Sequence, residues 1–412
     1  MKKPPTTHNR MDGAASPGSP TGPALPGFKW GRAFRTFWGW GMMAALVLAL
    51  PAYAPASDYG RMLESTRALG MGGALTAAPV GSDSFFYNPA GLSLVDDWQV
   101  EITGMHDGSQ NNPEGFFKEA QGQRGRLLTD ATLFLNSRGQ GHYLLRDQGM
   151  ASYHSANGFG LGVFENTTRM ARPVQLPNPV PPPVTNPGIE FRDQKFTGGF
   201  MAWSFASQNR TFIWGVNAKH LNIEYSGSIA GAPELITPPP PYKPVVDNQW
   251  FYDTGVLIRL PIPFLRPTLG VALINGNNSS KKFDPASGLM EEVNIGVALG
   301  PMMLGETIQL VLSADVRDVT KNNPEFARHE PLRRHLGGEL SFFPIGKNLY
   351  GLQLRGGTSQ GYPTAGAAIN FTKNLSLEAA QYTEELGSPD SLDPAQQRIP
   401  QKRTTAQVRL KF

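Results

Sequence analysis

Cysteine is absent from the 412-residue sequence, which excludes a disulfide framework and any metal site built on thiolates. Charged residues are scarce, at 17%, and the formal net charge of +4 is too small and too scattered to indicate nucleic acid as a partner. Long hydrophobic runs are missing as well. After residue 56 no stretch approaches about 18 consecutive apolar residues, so we expect no transmembrane helix in the mature chain.

The N-terminal region has the parts of a secretory signal peptide. Residues 1–28 are rich in Pro, Gly, Ser and Thr, basic residues follow, and the apolar run FWGWGMMAALVLAL (37–50) precedes small residues around Ala56. This run is shorter than the roughly 20 residues that span a bilayer as a helix. We predict a signal peptide with an extended N-region over residues 1–56, cleaved after Ala56. The alternative is an uncleaved membrane anchor.

An exported chain without cysteine or a spanning helix is periplasmic, secreted or an outer-membrane barrel. The mature region alternates apolar and polar residues with a period of two. In VNIGVALG (293–300) every second residue is valine, isoleucine or leucine, and the residues between them are polar or small. TIQLVLSADVR (307–317) and the final TAQVRLKF (405–412) repeat the pattern. Such alternation is typical of β-strands with one apolar face.

Fourteen segments are strand candidates by this pattern. They are 98–106, 148–156, 158–170, 193–206, 211–225, 249–260, 267–276, 290–300, 306–317, 332–343, 348–358, 363–371, 374–384 and 403–412. Every second connection between them is short, and most of the others are long. Bacterial single-chain barrels have an even number of strands, with short turns at one end and long loops at the other. We therefore predict an all-β fold, a 14-stranded antiparallel transmembrane β-barrel over residues 98–412 in the bacterial outer membrane, with outer-membrane lipids around it.

The long connections have distinctive compositions. Two of them, 172–188 and 237–244, are proline-rich and predict extended polyproline segments. They are either docking sites for a proline-binding partner or stiff surface loops. The connection 107–147 has helical character and predicts one or two short helices over the barrel mouth. The last residue, Phe412, ends an alternating strand and resembles the signal that the barrel assembly machinery of the outer membrane reads.

A compact, sharply bent stretch precedes the first strand. Gly70, Gly72 and Gly73 indicate close approach of the backbone to its surroundings, and Pro89 pushes Asn88 toward an extended conformation, so a turn is expected there. A barrel of this size would pass water unless something filled its lumen. We predict that residues 57–97 form an N-terminal hatch inside the barrel.

The same stretch resembles a known family. LGMGGA (69–74) followed by FFYNPAGLS (85–93) resembles the N-terminal signature of the FadL-type outer-membrane transporters of long-chain fatty acids and hydrocarbons, which PorV-like relatives share. The resemblance implies a fourteen-stranded barrel with an N-terminal hatch. On this sequence it implies that the hatch is shaped by Asn88, Pro89, Ala90 and Gly91.

Two functions are compatible with these features. The first is a channel for uptake or passage of hydrophobic small molecules such as long-chain fatty acids, which moves its solute when the hatch shifts. The alternative is a PorV-like barrel that acts in protein secretion or surface protein interaction. A continuous apolar path past the hatch favours the first, and a sealed barrel favours the second.

Enzyme motifs are weak in this sequence. GTSQG (357–361) fits the G-x-S-x-G pattern of hydrolases, but it lies between two alternating strands and no helix pattern follows it, which favours a hairpin loop. Ser152 and His154 share one face of a strand, but a lone Ser-x-His is common. No histidines are spaced as helical metal ligands. We predict neither an enzyme nor a cofactor.

Overall fold

The computed structural model describes residues 62–122, 142–177, 185–230, 245–276, 289–305, 307–322, 330–346, 349–386 and 399–412. The predicted signal peptide over 1–56 lies outside these ranges, as do the first residues of the predicted hatch, the centre of the first proline-rich connection and all of the second.

Fourteen antiparallel strands form a closed barrel, in which β1 pairs with β14 and every other strand pairs with its neighbours in the chain. The predicted barrel and its strand number are confirmed. The strands are β1 Gln99–Ser109, β2 Tyr143–His154, β3 Phe159–Pro177, β4 Thr185–Ala206, β5 Phe212–Ala230, β6 Val245–Arg259, β7 Thr268–Gly276, β8 Glu292–Leu304, β9 Ile308–Val316, β10 Arg334–Gly346, β11 Leu349–Ser359, β12 Tyr362–Asn370, β13 Leu375–Glu385 and β14 Pro400–Lys411.

The two faces of the barrel wall differ in chemistry. In β14 buried and exposed residues alternate along the strand, with Arg403 and Gln407 on the buried inner face and Val408 on the exposed outer face. Apolar side chains are exposed on the outer face around the ring, among them Ile102, Leu161, Val163, Met201, Leu269, Ile295, Val297, Leu354, Ile369 and Leu377. Several exposed aromatic residues lie near the short turns, namely Phe205, Phe212, Phe264, Phe343 and Phe371, whereas Trp250 and Tyr252 are exposed farther along β6. This arrangement is the reverse of a soluble protein, since the apolar face points outward.

The strands around the first proline-rich connection are longer than predicted. β3 continues to Pro177 and β4 begins at Thr185, and these two residues are paired, as are Pro173 and Ile189. The prediction of a polyproline loop over 172–188 is therefore wrong for its described part. Beyond Ala171 strand β3 has β4 as its only described partner, so a proline can turn the side that lacks an N–H away from the ladder.

The helical prediction for 107–147 is confirmed over α3 (Pro113–Gly122). (α1 and α2 lie earlier in the chain, at Thr66–Gly70 and Ser84–Tyr87.) The ring of Phe116 stacks on Tyr143 of β2 with 3.8 Å between centroids, and it lies near Phe191 of β4. These side chains belong to the outer face, so the helix packs against the outside of the wall and not over the mouth. Within the described ranges, no helix is long and apolar enough to cross a membrane.

Candidate functional site

Residues 62–94, here called the N-terminal segment, lie inside the barrel. Their backbone and side chains are almost entirely buried. Strands from all around the ring bind the segment through inward-facing side chains, so it occupies the lumen. These hydrogen bonds join Asn166 to the oxygen of Met62 (2.9 Å), Asn217 to the oxygen of Phe85 (2.8 Å), Asp315 to the nitrogen of Thr76 (2.7 Å), His335 to the oxygen of Gly72 (2.7 Å), Thr364 to the oxygen of Gly70 (3.0 Å) and Gln407 to the nitrogen of Thr66 (3.0 Å).

Local sequence explains the bent path of the segment. Ser65 caps α1 by accepting a hydrogen bond from the nitrogen of Ala68 at 3.1 Å. After α1 the chain passes through Gly72 and Gly73, whose φ angles of 62° and 80° suit glycine. α2 is a single turn that ends at Asn88, and a 3₁₀-helix, Pro89–Leu94, follows at once. The stretch FFYNPAGLS is therefore two short helices joined at one residue.

Asn88 is the junction between these helices and also joins the segment to the barrel. Its side-chain oxygen accepts from the nitrogen of Ala90 at 3.1 Å and so caps the 3₁₀-helix. Its amide nitrogen donates to the oxygen of Thr76 at 2.8 Å and lies 3.3 and 3.4 Å from the carbonyl oxygens of Val256 and Val271. Asn88 is fully buried, so the Thr76 oxygen depends on it for a partner.

Glycines in the wall make room for the Asn-Pro-Ala turn. Gly215 of β5 and Gly255 of β6 are directly opposite each other in the ladder. A β-carbon on Gly215 would lie 2.5 Å from the nitrogen of Ala90, and one on Gly255 would lie 2.0 Å from the side-chain oxygen of Asn88. No larger residue fits at either position without moving the segment. Sequence reasoning missed both glycines, although a glycine inside a strand is a known signal of close backbone approach.

A second pair of glycines receives the other end of the segment. Gly337 of β10 and Gly357 of β11 are paired, and a β-carbon on either would come within 3 Å of backbone atoms of Met71. Gly270 of β7 approaches the backbone of Thr76 in the same way, at 2.4 Å. The wall is thus shaped to the backbone of the segment at several separate places.

One side of the lumen is lined by ionised groups. Arg67 of α1 makes two hydrogen bonds to the carboxylate of Glu339, at 3.0 and 3.3 Å. Arg355 donates to the same carboxylate at 2.8 Å and to Glu378 at 2.5 Å, and Glu378 also pairs with Arg409 at 3.2 Å. We call Glu339, Arg355, Glu378, Arg409 and Glu101 the charged wall.

The N-terminal segment closes this chain of charges at both ends. Arg67 also pairs with Asp83 of the segment, at 3.4 Å. At the other end, Glu101 pairs with Arg409 at 3.3 Å and accepts a hydrogen bond from Ser82 at 2.5 Å. Burial by itself would lower the pKa of Arg67, but Glu339 and Asp83 hold this pKa above the ordinary arginine value. The guanidinium is therefore a permanent charge, stabilised by its neighbours.

The opposite side of the lumen is largely apolar, apart from the buried ion pair between Lys219 and Asp253. Inward-facing residues of β3 to β6 form a continuous surface that we call the apolar wall, made of Phe164, Phe196, Phe200, Leu221, Ile223 and Phe251. Phe85 of α2 lies 4.4 Å from Phe200 between ring centroids, and Phe86 meets Phe164 and Phe200 edge-on at 5.7 and 5.3 Å. The segment therefore covers the apolar wall with its own aromatic rings.

Two small cavities border the segment among the residues that the structure describes. One, of about 30 Å³, lies beside Phe86 and is lined by apolar residues such as Met105 and Met150 and by polar ones such as Glu64 and Asp83. The other, of about 50 Å³, lies beside Gly73 and is lined by the charged residues Glu64, Arg317 and Glu384. At these two places the segment must move before a solute larger than water can reach the apolar wall.

The residues predicted to shape the hatch are together in this segment. Gly70, Gly72 and Gly73 present their backbone to the wall, and a β-carbon on Gly91 would meet the Ser84 hydroxyl oxygen at 2.5 Å. Asn88, Pro89 and Ala90 contact β5 and β6, as described above. Phe412 lies elsewhere. It is exposed on the seam, where its backbone exchanges hydrogen bonds of 2.9 and 3.1 Å with Val100.

The enzyme-like motifs do not form a catalytic arrangement. Ser359 of GTSQG lies at the hairpin between β11 and β12, as predicted, with its hydroxyl 3.3 Å from Nδ1 of His335. That nitrogen is 2.7 Å from the carbonyl oxygen of Gly72, so it carries a proton and cannot accept one from the serine. Ser152 and His154 share the buried inner face of β2. Among the described residues there is no cluster of metal-ligating side chains.

No protein-family model matches the sequence, and no curated protein matches it. The chain is similar to several solved structures. The Ralstonia pickettii toluene transporter TbuX has 9% identity and a TM-score of 0.44 over 86% of this chain and 99% of its own. The P. putida toluene transporter TodX has 11% identity and a TM-score of 0.44 over 84% and 98%. A Pseudomonas aeruginosa FadL homologue has 10% identity and a TM-score of 0.36 over 86% and 99%. At these values the likeness assigns no substrate to this chain.

Proposed function

We propose that this protein is an outer-membrane channel for hydrophobic small molecules and that its N-terminal segment is the hatch that closes it. The observation that supports the proposal is the continuous apolar wall along β3 to β6, which the segment covers with Phe85 and Phe86. This wall offers a path for a solute that avoids water.

The outer surface of the barrel supports the membrane location. Apolar side chains are exposed around the whole ring, and several of the exposed aromatic residues lie near the short turns, where a bilayer interface would lie. In hydrocarbon every backbone polar group must be paired within the protein, and a closed ladder from β1 to β14 provides this. The outer membrane is the bacterial membrane in which such barrels are found.

Burial energy favours solutes with a large apolar surface. Each CH₂ group that leaves water contributes about 0.8 kcal/mol, so even a short hydrocarbon gains several kcal/mol on the apolar wall. A long-chain fatty acid would in addition need a cation for its carboxylate. Lys219, two residues before Leu221, is already bound to Asp253 at 2.8 Å and to Asn275 at 2.7 Å. The wall therefore fits a neutral hydrocarbon best, and long-chain fatty acids are the second candidate.

Uptake by whole cells tests this function. Cells with and without the protein would be given a radiolabelled alkylbenzene, a long-chain fatty acid or a polar sugar of similar size. We expect the protein to raise the initial rate for the alkylbenzene several-fold and to leave the rate for the sugar unchanged. Phe200→Asp, which places a charge in the apolar wall, should abolish the gain, whereas Val163→Thr on the outer face should keep it. Equal rates in both strains for every hydrophobic solute would refute the proposal.

The filled lumen favours a second candidate. Since the described cavities inside the barrel hold little more than water, the protein could instead serve as a sealed barrel in protein secretion or surface protein interaction, in the manner of PorV-like relatives. The outward position of α3 and the extended ladders of β3 and β4 would then form part of a docking surface. Normal secretion of surface proteins in a deletion strain, together with lost hydrocarbon uptake, would decide for the channel.

A further inference from the structure

We propose that the N-terminal segment has a fixed half and a moving half, and that a solute opens the channel by replacing the ring of Phe86 on the apolar wall. The inference rests on the proposed function, since it concerns how the same solute passes the same segment. It makes Phe86 a residue that determines which solutes are admitted.

The fixed half comprises residues 64–73 together with Ser82 and Asp83. Ionised groups hold it to the barrel, because Arg67 binds Glu339 and Glu64 binds Arg146 at 2.7 Å, and the pair between Arg67 and Asp83 joins its two parts. Hydrogen bonds that involve charged groups are about twice as strong as neutral ones. An apolar solute has no charged or hydrogen-bonding group that could replace these bonds, so it cannot displace this half.

The moving half is Ser84–Leu94. The described hydrogen bonds between this half and the barrel are neutral. They include the bond from Asn217 to the oxygen of Phe85, the bond of 2.8 Å between the Ser93 and Ser204 hydroxyls, and a bond of 2.9 Å from Ser204 to the oxygen of Ala90. Its remaining contacts are largely apolar. A hydrocarbon on the apolar wall would replace much of the contact that the rings of Phe85 and Phe86 lose when they move away. The free-energy cost of the exchange is therefore small.

The moving half is tethered at both of its ends. Asp83 holds its beginning through Arg67, and its end passes after four residues into β1. Asp96, in that connection, pairs with Arg210 at 3.0 Å beside the turn between β4 and β5. The motion that these tethers allow is a local swing away from β3 to β6, and release of the whole segment is not required.

Phe86 is the side chain that a solute would replace first. Its ring meets Phe164 and Phe200 edge-on and also borders the cavity of about 30 Å³, so it has free space on one side. Phe85 is fully buried, and its ring blocks any β-carbon on Gly160 of β3, so it has no such space. A solute with a flat ring or a slim hydrocarbon chain matches the place that Phe86 leaves.

Two engineered disulfides test the two halves one at a time. Because the native chain contains no cysteine, no other disulfide can form within it. Ser93→Cys with Ser204→Cys links the moving half to β4, where the native hydroxyl oxygens are 2.8 Å apart. Thr66→Cys with Thr405→Cys links the fixed half to β14, where the oxygens are 3.5 Å apart. In each pair the two side chains converge, as a disulfide requires. Uptake of the radiolabelled alkylbenzene is then compared between oxidised and reduced protein.

We expect oxidation of the Ser93/Ser204 pair to lower uptake at least tenfold and reduction to restore it. Oxidation of the Thr66/Thr405 pair should leave uptake within twofold of the reduced form. If both crosslinks block uptake, or if neither does, the division into halves is wrong although the channel function stands. If the reduced proteins and the unmodified protein all fail to take up the solute, the proposed function itself fails.

Variants at Phe86 test its role in selection. Phe86→Ala should widen the range of admitted solutes, so that uptake of a bulkier bicyclic hydrocarbon rises several-fold relative to the alkylbenzene. Phe86→Tyr keeps the ring and should keep the native ratio. An unchanged ratio in Phe86→Ala, in protein that folds and still takes up the alkylbenzene, would overturn the assignment of this residue.

Discussion

The side-chain oxygen of Asn88 lies 2.0 Å from the point that a β-carbon on Gly255 would occupy. The Asn-Pro turn and the β5–β6 wall therefore exclude any side chain at this glycine. Overpacking of a fitted site typically costs about 1–3 kcal/mol. We predict that Gly255→Ala weakens the docking of the N-terminal segment by this amount while the barrel stays closed.

Limited chymotrypsin digestion of the detergent-solubilised protein measures this effect. Phe86, in the half of the segment that contains Asn88, is a cleavage site that is buried while the segment is docked, so the cleavage rate reports the undocked fraction. Gly255→Ala should raise this rate roughly five- to a hundredfold, which corresponds to about 1–3 kcal/mol. Gly104→Ala is the matched control, since a β-carbon on this outward-facing glycine meets nothing within 4 Å. Equal rates for the two variants would contradict the prediction.

Arg67 anchors the segment through a buried ion pair, so its removal should be costly. Its side chain and that of Glu339 are each about 7% exposed. Breaking a buried pair by removing one partner typically costs about 3–5 kcal/mol. We expect Arg67→Met to fall at the lower end, about 3 kcal/mol, because Glu339 keeps Arg355 at 2.8 Å. Chymotrypsin cleavage after Phe86 would report the loosened segment.

Arg210→Met is the control for that experiment. Arg210 pairs with Asp96 at 3.0 Å, but both side chains are substantially exposed, and pairs of this kind contribute about 0–1 kcal/mol. We expect cleavage after Phe86 to change little in this variant. If Arg210→Met loosened the segment as much as Arg67→Met does, the buried ion pair would not be the anchor.

The strand pattern could be predicted from the sequence because its cause is local. Alternation alone located β7 at 267–276, and the strand runs over Thr268–Gly276. The ends of β3 and β4 could not be found this way, because a proline-rich stretch favours a polyproline segment over a paired strand. The pairing of Pro177 with Thr185 depends on the absence of another described partner for that part of β3, which is a property of the assembled sheet.

Of the candidate site, the sequence predicts the N-terminal segment but not the residues of the barrel wall that bind it. Glycines and the Asn-Pro turn mark the segment itself, because they determine its own backbone path. Its partners lie far away in the chain, and Glu339 is 272 residues from Arg67. The register of the closed barrel decides which inward-facing residues contact the segment. No local sequence pattern encodes this register. Gly255 is the exception, since a glycine inside an alternating strand could have been noticed.

Phe412 should matter for assembly more than for the stability of the finished barrel. Its ring is 60% exposed, while its backbone exchanges hydrogen bonds with Val100 across the seam between β1 and β14. We predict that deletion of Phe412 lowers the amount of folded barrel in the outer membrane several-fold, as measured by heat-modifiable migration in gels. Phe412→Tyr keeps an aromatic end and should assemble normally. Wild-type amounts of folded protein after the deletion would count against a role as an assembly signal.

Electrical conductance offers the most direct test that the N-terminal segment closes the lumen. Its removal should leave the barrel folded, since the ladder from β1 to β14 is hydrogen-bonded without it. Asn88→Ala removes the cap at Ala90 and the partner of the Thr76 oxygen, each worth about 1 kcal/mol or more when buried, so it should undock the segment only part of the time. In planar bilayers we expect low conductance for the intact protein, intermittent openings for Asn88→Ala and a steady open pore for deletion of residues 62–94. Ser207→Ala, in the exposed β4–β5 turn, is the control and should behave as the intact protein. A deletion variant that is folded yet conducts no more than the intact protein would show that the segment is not the plug, and the channel would then need another gate.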